Sequence, residues 1–276
     1  MQFGIHLPHV GRKAAPDAIR RAAVHAEELG FDDVWVSEHI IVPKDATYPP
    51  SASFYDPVLT LTWAAAFTQR VRLGTSVLVL PMRHPLPLAK ELATLQNLSQ
   101  ARLILGAGVG WMEAEFAALG APFHERGRRM DEGIALMRAV WTEDPVSFPT
   151  RWIPAAVQEM RMLPRPVAPI PIWIGGSSEP ALKRATRLDG WHGSRVTPDA
   201  APALVGRLRA ARPDAAFTIS LRMRWDGAQS DRARADLAAY AAAGVQHVLL
   251  EPMERELDAW LHAVEDAASL TKGLRD

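Results

Sequence analysis

Short apolar runs alternate with longer amphipathic stretches along this chain. Phe3–Leu7 is a β-rich run, and Pro16–Gly30 is a helical pattern closing on a glycine suited to a C-cap. Val34–Ser37 is the next β-rich run, followed by the long Pro-containing segment Ile40–Tyr55 and a helix over Pro57–Gln69. Val71–Leu80 predicts a strand. Pro85–Ser99 predicts a helix with Leu88, Leu92, Leu95 and Leu98 on one face, and Arg102–Gly106 a strand. A short helical piece, Glu113–Leu119, precedes a longer helix over Arg126–Thr142. After an interruption the rhythm resumes. Strands over Pro171–Gly175, Gly190–His192, Ala216–Arg222 and Val245–Leu250 interleave with helices over Glu179–Leu188, Pro198–Ala211, Asp231–Ala243 and Glu254–Leu270.

The interruption, Pro145–Pro171, carries six further prolines after Pro145, a density through which no regular helix runs. With Phe148, Trp152, Ile153, Val157, Met160, Met162 and Leu163 it is too apolar for a linker, and it reads as an ordered excursion packed on the main body. Eight strands alternating with helices call for a parallel sheet, and eight repeats favour closure. The expected fold is α/β, a (β/α)8 TIM barrel with an irregular Pro-rich insertion after the fourth helix, built as a single domain over residues 1–276. An internal echo agrees: Glu28-Leu-Gly30 leads into Val34-Trp-Val-Ser-Glu38, and Ala242-Ala-Gly244 leads into Val248-Leu-Leu-Glu251. A doubly wound open sheet is the alternative topology.

Composition narrows the classes. The chain has 276 residues, 48% hydrophobic and 22% charged, which is ordinary for a globular protein. Basic and acidic residues both number 31, with no basic stripe, which argues against a nucleic-acid partner. The absence of cysteine excludes disulfides, thiolate zinc sites and cysteine nucleophiles. The stretch from Met1 to His6 lacks the basic and apolar regions of a signal peptide. No apolar run approaches the roughly 18 residues of a membrane span. A cytoplasmic protein with no membrane partner is expected.

In a parallel barrel the chemistry gathers at the C-terminal strand ends. The second strand delivers Glu38 and His39 there, just before the long segment that follows. Gly106-Ala-Gly-Val-Gly110 departs from a dinucleotide fingerprint in the place of its third glycine and lacks the later strand ending in an acid. It is either a tight turn or a backbone surface, at Gly106 and Gly108, cleared for a flat ring. Gly175-Gly-Ser-Ser178 opens a helix. Its glycines and hydroxyls form either an anion cradle or a simple N-cap turn. His6 and His9 invite a metal reading, but a barrel metallohydrolase wants two histidines one residue apart on the first strand, with further histidines and an aspartate on later strands; the last strand here offers Glu251 and no aspartate at its end, so no metal is expected.

Taken together, the chain resembles the bacterial luciferase-like flavin and deazaflavin oxidoreductases, most closely their F420-dependent branch. The resemblance lies in Gly30-Phe-Asp-Asp-Val-Trp-Val-Ser-Glu-His39, Arg72-Leu-Gly-Thr-Ser-Val77, Arg83-His-Pro85 and Leu105-Gly-Ala-Gly-Val-Gly-Trp111. It continues in Glu115-Phe-Ala-Ala-Leu-Gly120, Gly127-Arg-Arg-Met-Asp-Glu132, Ile172-Trp-Ile-Gly-Gly176 and Asp189-Gly-Trp191. It implies hydride exchange between coenzyme F420 and a small organic substrate. The alternatives are an FMN-dependent monooxygenase fed by a separate reductase, and a non-catalytic cofactor-binding protein. It further implies a non-proline cis peptide at Ser76-Val77, and a cofactor phosphate near Gly175 and Gly176. The cofactor site would comprise His6, Ser76, Val77, Gly106, Gly108, Gly175, Gly176, Ser177 and Ser178. His39 would move a proton beside the ring, with Glu38 orienting it or bonding the ring edge. The alternative is that both residues only shape the pocket floor. Lys183, Arg184, Arg187 and Arg195 are the candidates for the acidic F420 tail. Some deazaflavin-dependent dehydrogenases carry a glutamate acid after the fourth strand; that place is glycine-rich here, Gly108 to Gly110, and the nearest acid is Glu113. A homodimer is expected, with Trp63, Trp111, Trp141 and Trp152 on or near its outer surfaces.

Overall fold

The computed structural model of the protein describes residues 1–227 and 230–275. Along the chain run β1 (Gln2–His6), α1 (Pro16–Glu28), β2 (Asp33–Val36), α2 (Pro57–Ala65), β3 (Arg72–Thr75), β4 (Leu78–Val79), α3 (Pro85–Leu98) and β5 (Leu103–Gly108). Then come α4 (Glu113–Ala118), α5 (Arg126–Thr142), β6 (Val146–Phe148), β7 (Val157–Met160), β8 (Ile172–Gly175) and α6 (Glu179–Ala185). The chain closes with β9 (Gly190–Ser194), α7 (Ala201–Ala211), β10 (Thr218–Trp225), α8 (Ser230–Ala242), β11 (His247–Pro252) and α9 (Leu257–Thr271).

The sheet follows the order β3-β2-β1-β11-β10-β9-β8-β5-β4, and the pairing of Leu73 with Leu103 joins β3 to β5. That pairing closes a parallel barrel of eight strand positions and removes the open-sheet alternative. The strand expected over Val71–Leu80 is two pieces. β3 stops at Thr75, the Ser76-Val77 peptide is cis, and β4 resumes alongside β5. β10 runs past Arg222 to Trp225 because β11 pairs with it as far as Pro252.

Two cores form. The larger lies between the outward strand residues, such as Phe3, Ile5, Val34 and Val36, and the helices. Leu88, Leu92 and Leu95 of α3 join it, whereas Leu98, expected on the same face, is exposed. The smaller fills the barrel itself with Trp35, Ile104, Trp173 and Leu249, the two indoles 5.5 Å apart. Glycines make room for these rings. A Cβ on Gly74 would overlap Trp35, and one on Gly190 would lie 2.6 Å from Trp173.

The insertion is ordered, as its apolar content implies. β6 and β7 pair as an antiparallel hairpin, and Val146, Ile153 and Val157 are buried. Glu132 of α5 pins the connection by accepting the amides of Arg151, Trp152 and Ile153 at 2.8–2.9 Å. Among the described residues no helix is long and apolar enough to cross a membrane.

Candidate active site

His39 lies just beyond β2 at the C-terminal face of the barrel, with Phe54 and Trp111 edge-on to its ring at 5.2 and 5.9 Å. Its Nδ1 is 3.0 Å from a carboxylate oxygen of Glu115, which is only 3% exposed. The other Glu115 oxygen accepts the amides of Ile40 and Ile41 at 2.5 and 3.2 Å. Burial pushes this carboxyl's pKa up, but the His39 bond and the two amides outweigh it and hold the group below the ordinary range. An ionised Glu115 requires a hydrogen on His39 Nδ1, which leaves Nε2 of a neutral ring as a lone pair. Among the described residues Nε2 has no hydrogen-bond partner.

Glu38 does not serve His39. It turns the other way, accepting the Val79 amide at 2.6 Å and Arg83 Nε at 2.7 Å. Arg83 reaches on to Asp56 at 2.6 Å, the residue that caps α2 through the Leu59 amide. Burial pushes the Glu38 carboxyl up despite the guanidinium beside it. Glu38 therefore ties β2, β4 and α2 together, and the orienting acid is Glu115. The signal for it was present: Glu115 stands three residues after Met112 and next to Phe116, both buried, on the inner side of α4. Glu113, the acid singled out from sequence, is exposed and lies 3.7 Å from His124.

The Ser76-Val77 bulge places the Val77 side chain between Gly108 and Gly175; a Cβ on Gly175 would lie 2.6 Å from Val77 Cγ1. These glycines are bare because Val77 occupies the space a side chain would take. Gly106 is sealed deeper, where a Cβ would overlap the Thr75 carbonyl oxygen, so its bareness serves the barrel interior and not a surface for a ring. Gly176 sits at φ +103°, which only glycine adopts freely, and its carbonyl accepts from the Trp191 indole at 2.7 Å. Ser177 and Ser178 are exposed, and Ser178 stands at the N-cap of α6 without using its side chain to cap. Of the basic candidates, Arg184 is buried and bidentate to Asp131, which takes it out of reach of a ligand. Lys183, Arg187 and Arg195 are exposed.

His6 points into the barrel from the end of β1. It is 7% exposed, and its Nε2 is buried without a hydrogen-bond partner. Burial, reinforced by Arg222, His9 and Lys13, holds its pKa well below the ordinary value. His9 is satisfied internally: Nδ1 donates to the Leu7 carbonyl at 3.1 Å and Nε2 accepts the Ser37 amide at 3.0 Å. The segment after His39 crosses the mouth. Tyr48 meets Trp111 at 5.9 Å and lies under the Arg195 guanidinium at 5.7 Å, beyond the end of β9. β2 and β9 stand four places apart in the ring of eight.

The sequence model of the luciferase-like monooxygenases matches residues 1–272. The chain belongs to the luciferase-like monooxygenase family. It is an oxidoreductase enzyme of this family, whose relatives include F420-dependent dehydrogenases and monooxygenases. An uncharacterized protein of Mycobacterium tuberculosis is 32% identical over 205 residues, 70% of each chain. The F420-dependent glucose-6-phosphate dehydrogenase of Kineococcus radiotolerans is 36% identical over 183 residues, 64% of this chain and 52% of that protein. Among solved structures, a monooxygenase of Streptomyces bottropensis superposes with a TM-score of 0.80 at 25% identity, covering 99% of both chains.

Proposed function

We propose that this enzyme is an F420-dependent oxidoreductase exchanging hydride between the deazaflavin and a small organic substrate. The carrying observation is the His39–Glu115 pair at the barrel mouth. Interconverting an alcohol and a carbonyl moves a proton as well as a hydride. An imidazole with one nitrogen tied to a buried carboxylate and the other free is suited to take or give that proton. The residues present fit a flat, phosphate-bearing cofactor. His6 keeps an unsatisfied buried nitrogen, Val77 offers an apolar floor, and the Gly176–Ser178 turn leaves a hydroxyl uncommitted. Ser76, Val77, Gly175, Gly176, Ser177, Ser178 and His6 would hold it. When bound, F420 supplies the two-electron redox chemistry. His39 holds or releases the proton, Glu115 fixes its tautomer, and Phe54 and Trp111 pack edge-on against the imidazole.

The test is parallel titration with F420 and FMN, read by fluorescence quenching. Micromolar or tighter F420 binding with weaker FMN binding is expected; the reverse order overturns the assignment. The second reading is an FMN-dependent monooxygenase fed by a separate reductase, which the likeness to the Streptomyces monooxygenase favours. We further propose that one barrel domain acts in the cytoplasm as a homodimer. Leu59, 71% exposed, and Trp63 lie on the outer side of α2, with Phe67 4.9 Å from Trp63. Such a patch marks an interface. Of the four tryptophans expected there, Trp141 is buried, Trp152 lies half-buried under Arg128, and Trp111 faces the mouth.

A further inference from the structure

A line of buried polar groups runs through the barrel from its floor to its mouth. Asp33, at the start of β2, accepts from His247 Nε2 at 2.8 Å, from Arg72 at 2.6 Å and from the Trp35 indole. His247 Nδ1 is 2.6 Å from Ser220 Oγ, which is 2.7 Å from His192 Nδ1. His192 Nε2 is 2.8 Å from Ser76 Oγ. At the mouth Arg222, paired with Glu251 at 2.6 Å, donates to the Ser76 carbonyl at 2.9 Å and to its hydroxyl at 3.3 Å. Asp33, Ser220 and His247 are wholly buried, and Ser76 and His192 nearly so.

A neutral His247 gives the line a direction. A carboxylate only accepts. Burial pushes Asp33 up, but His247, Arg72 and Trp35 outweigh it and hold the carboxyl ionised. His247 Nε2 must therefore carry a hydrogen. The Nδ1 of a neutral His247 then accepts the Ser220 hydroxyl, and Ser220 Oγ accepts from His192 Nδ1. Burial lowers the His192 pKa to about 3, so the ring is neutral, and with its hydrogen on Nδ1 its Nε2 is a lone pair that accepts the Ser76 hydroxyl. Trp35 fixes the plane of that ring, stacked at 5.0 Å and 10°. A doubly protonated His247 would reverse each link as far as Ser76.

Barrel interiors are ordinarily filled with branched apolar side chains. Replacing buried polar sets with apolar ones is often neutral or stabilising. Stability alone therefore gives no reason for this line, whereas its end point does: it terminates at the residue that forms the bulge under Val77. We propose that Asp33 is a positioning residue for the cofactor floor. Acting through His247, Ser220 and His192, it turns the Ser76 hydroxyl into the barrel, so that Arg222 holds the Ser76 carbonyl and Val77 stays seated between Gly108 and Gly175. The role toward the cofactor rests on the proposed function; the direction of the line does not.

Nitrogen-15 spectra of the histidine side chains in the full chain without cofactor read the direction. The expected pattern is a neutral His192 protonated at Nδ1 and a neutral His247 protonated at Nε2. His192 protonated at Nε2 overturns the proposal. Ser220→Ala cuts the line. It is expected to remove the fixed His192 tautomer and to weaken F420 binding at least tenfold, while Ser220→Thr, which keeps the hydroxyl, restores both. A folded Ser220→Ala that binds F420 as the wild type does overturns the positioning role. If Ser220→Ala does not fold, the wild-type spectrum still decides the direction. A wild type that binds neither F420 nor FMN removes the functional reading and the cofactor role together, and is distinguished by an intact tautomer pattern.

Discussion

Removing the Glu115 carboxylate takes an acceptor from three donors at once: His39 Nδ1, the Ile40 amide and the Ile41 amide. Hydrogen bonds to a charged group contribute about 1.5–3 kcal/mol each. Ile40 and Ile41 are about half exposed, so water replaces part of the loss. Glu115→Ala is then expected to cost roughly 3–5 kcal/mol. Glu115→Gln keeps an oxygen for the two amides and loses only the charged bond to His39, costing roughly 1–2 kcal/mol. At about 2–4 °C per kcal/mol for a chain near this size, Tm should fall by roughly 10 °C for Ala and roughly 4 °C for Gln. The contribution carries a pH sign. A carboxyl whose folded pKa is depressed stabilises fully above the ordinary glutamate pKa, and that stability is lost as pH falls through the folded value. Thermal melts at pH 7 measure the pair of shifts. Hydrogen exchange over residues 40–55 measures where the loss falls, with Ile40 and Ile41 losing protection in the Ala variant alone. Equal melting of Ala and Gln, with both amides still protected in Ala, would refute the claim that this carboxylate anchors the segment.

Three further outcomes are expected. His39→Ala should lower turnover by roughly 10²–10⁴ while changing cofactor affinity little; His39→Gln failing equally supports proton transfer, and rescue by Gln reduces the residue to positioning. His9 and His192 have folded pKa values lowered to about 4 and about 3, so the unfolded chain binds more protons below the ordinary histidine pKa. Each should cost roughly 2 kcal/mol between pH 7 and pH 5, and urea unfolding that is constant down to pH 5 contradicts this. Leu59→Asp with Trp63→Asp should convert a dimer to a monomer by light scattering at high micromolar concentration, and a monomeric wild type removes the interface.

The barrel was legible because its period is simple. Apolar runs at strand length alternate with amphipathic helices, and parallel closure follows from the count. Val71–Leu80 failed as one strand because a break at Ser76-Val77 leaves no mark in hydrophobicity. At the site, His39 was legible as a strand-end residue. Its pairing with Glu38 was not realised, because successive residues of an extended chain point to opposite sides, and Glu38 went to Arg83. Glu115 was hidden by distance, 76 residues from His39. Asp33, His192, Ser220 and His247 lie on four different strands, and only the strand register brings them into one line. Gly106 and Gly108 read as a surface for a ring when their real neighbours, Thr75 and Val77, come from the adjacent strand position.

The fit between bare strand positions and indoles inside the barrel sets which substitutions can compensate one another. At Gly74 the nearest atoms all belong to the side chain of Trp35, so an alanine there could be accepted once Trp35 is trimmed to a smaller residue. At Gly106 the obstacle is the main chain of Thr75, which no second change can shorten. Gly190 stands between, facing both the Trp173 ring at 2.6 Å and the Thr218 carbonyl at 2.8 Å. Sequence drift at Gly74 and Trp35 should therefore be correlated, a reversible pair in which neither change is accepted first without cost. Gly106 has no such partner and can only stay fixed. A library that randomises Gly74 and Trp35 together should recover folded members that neither single library contains.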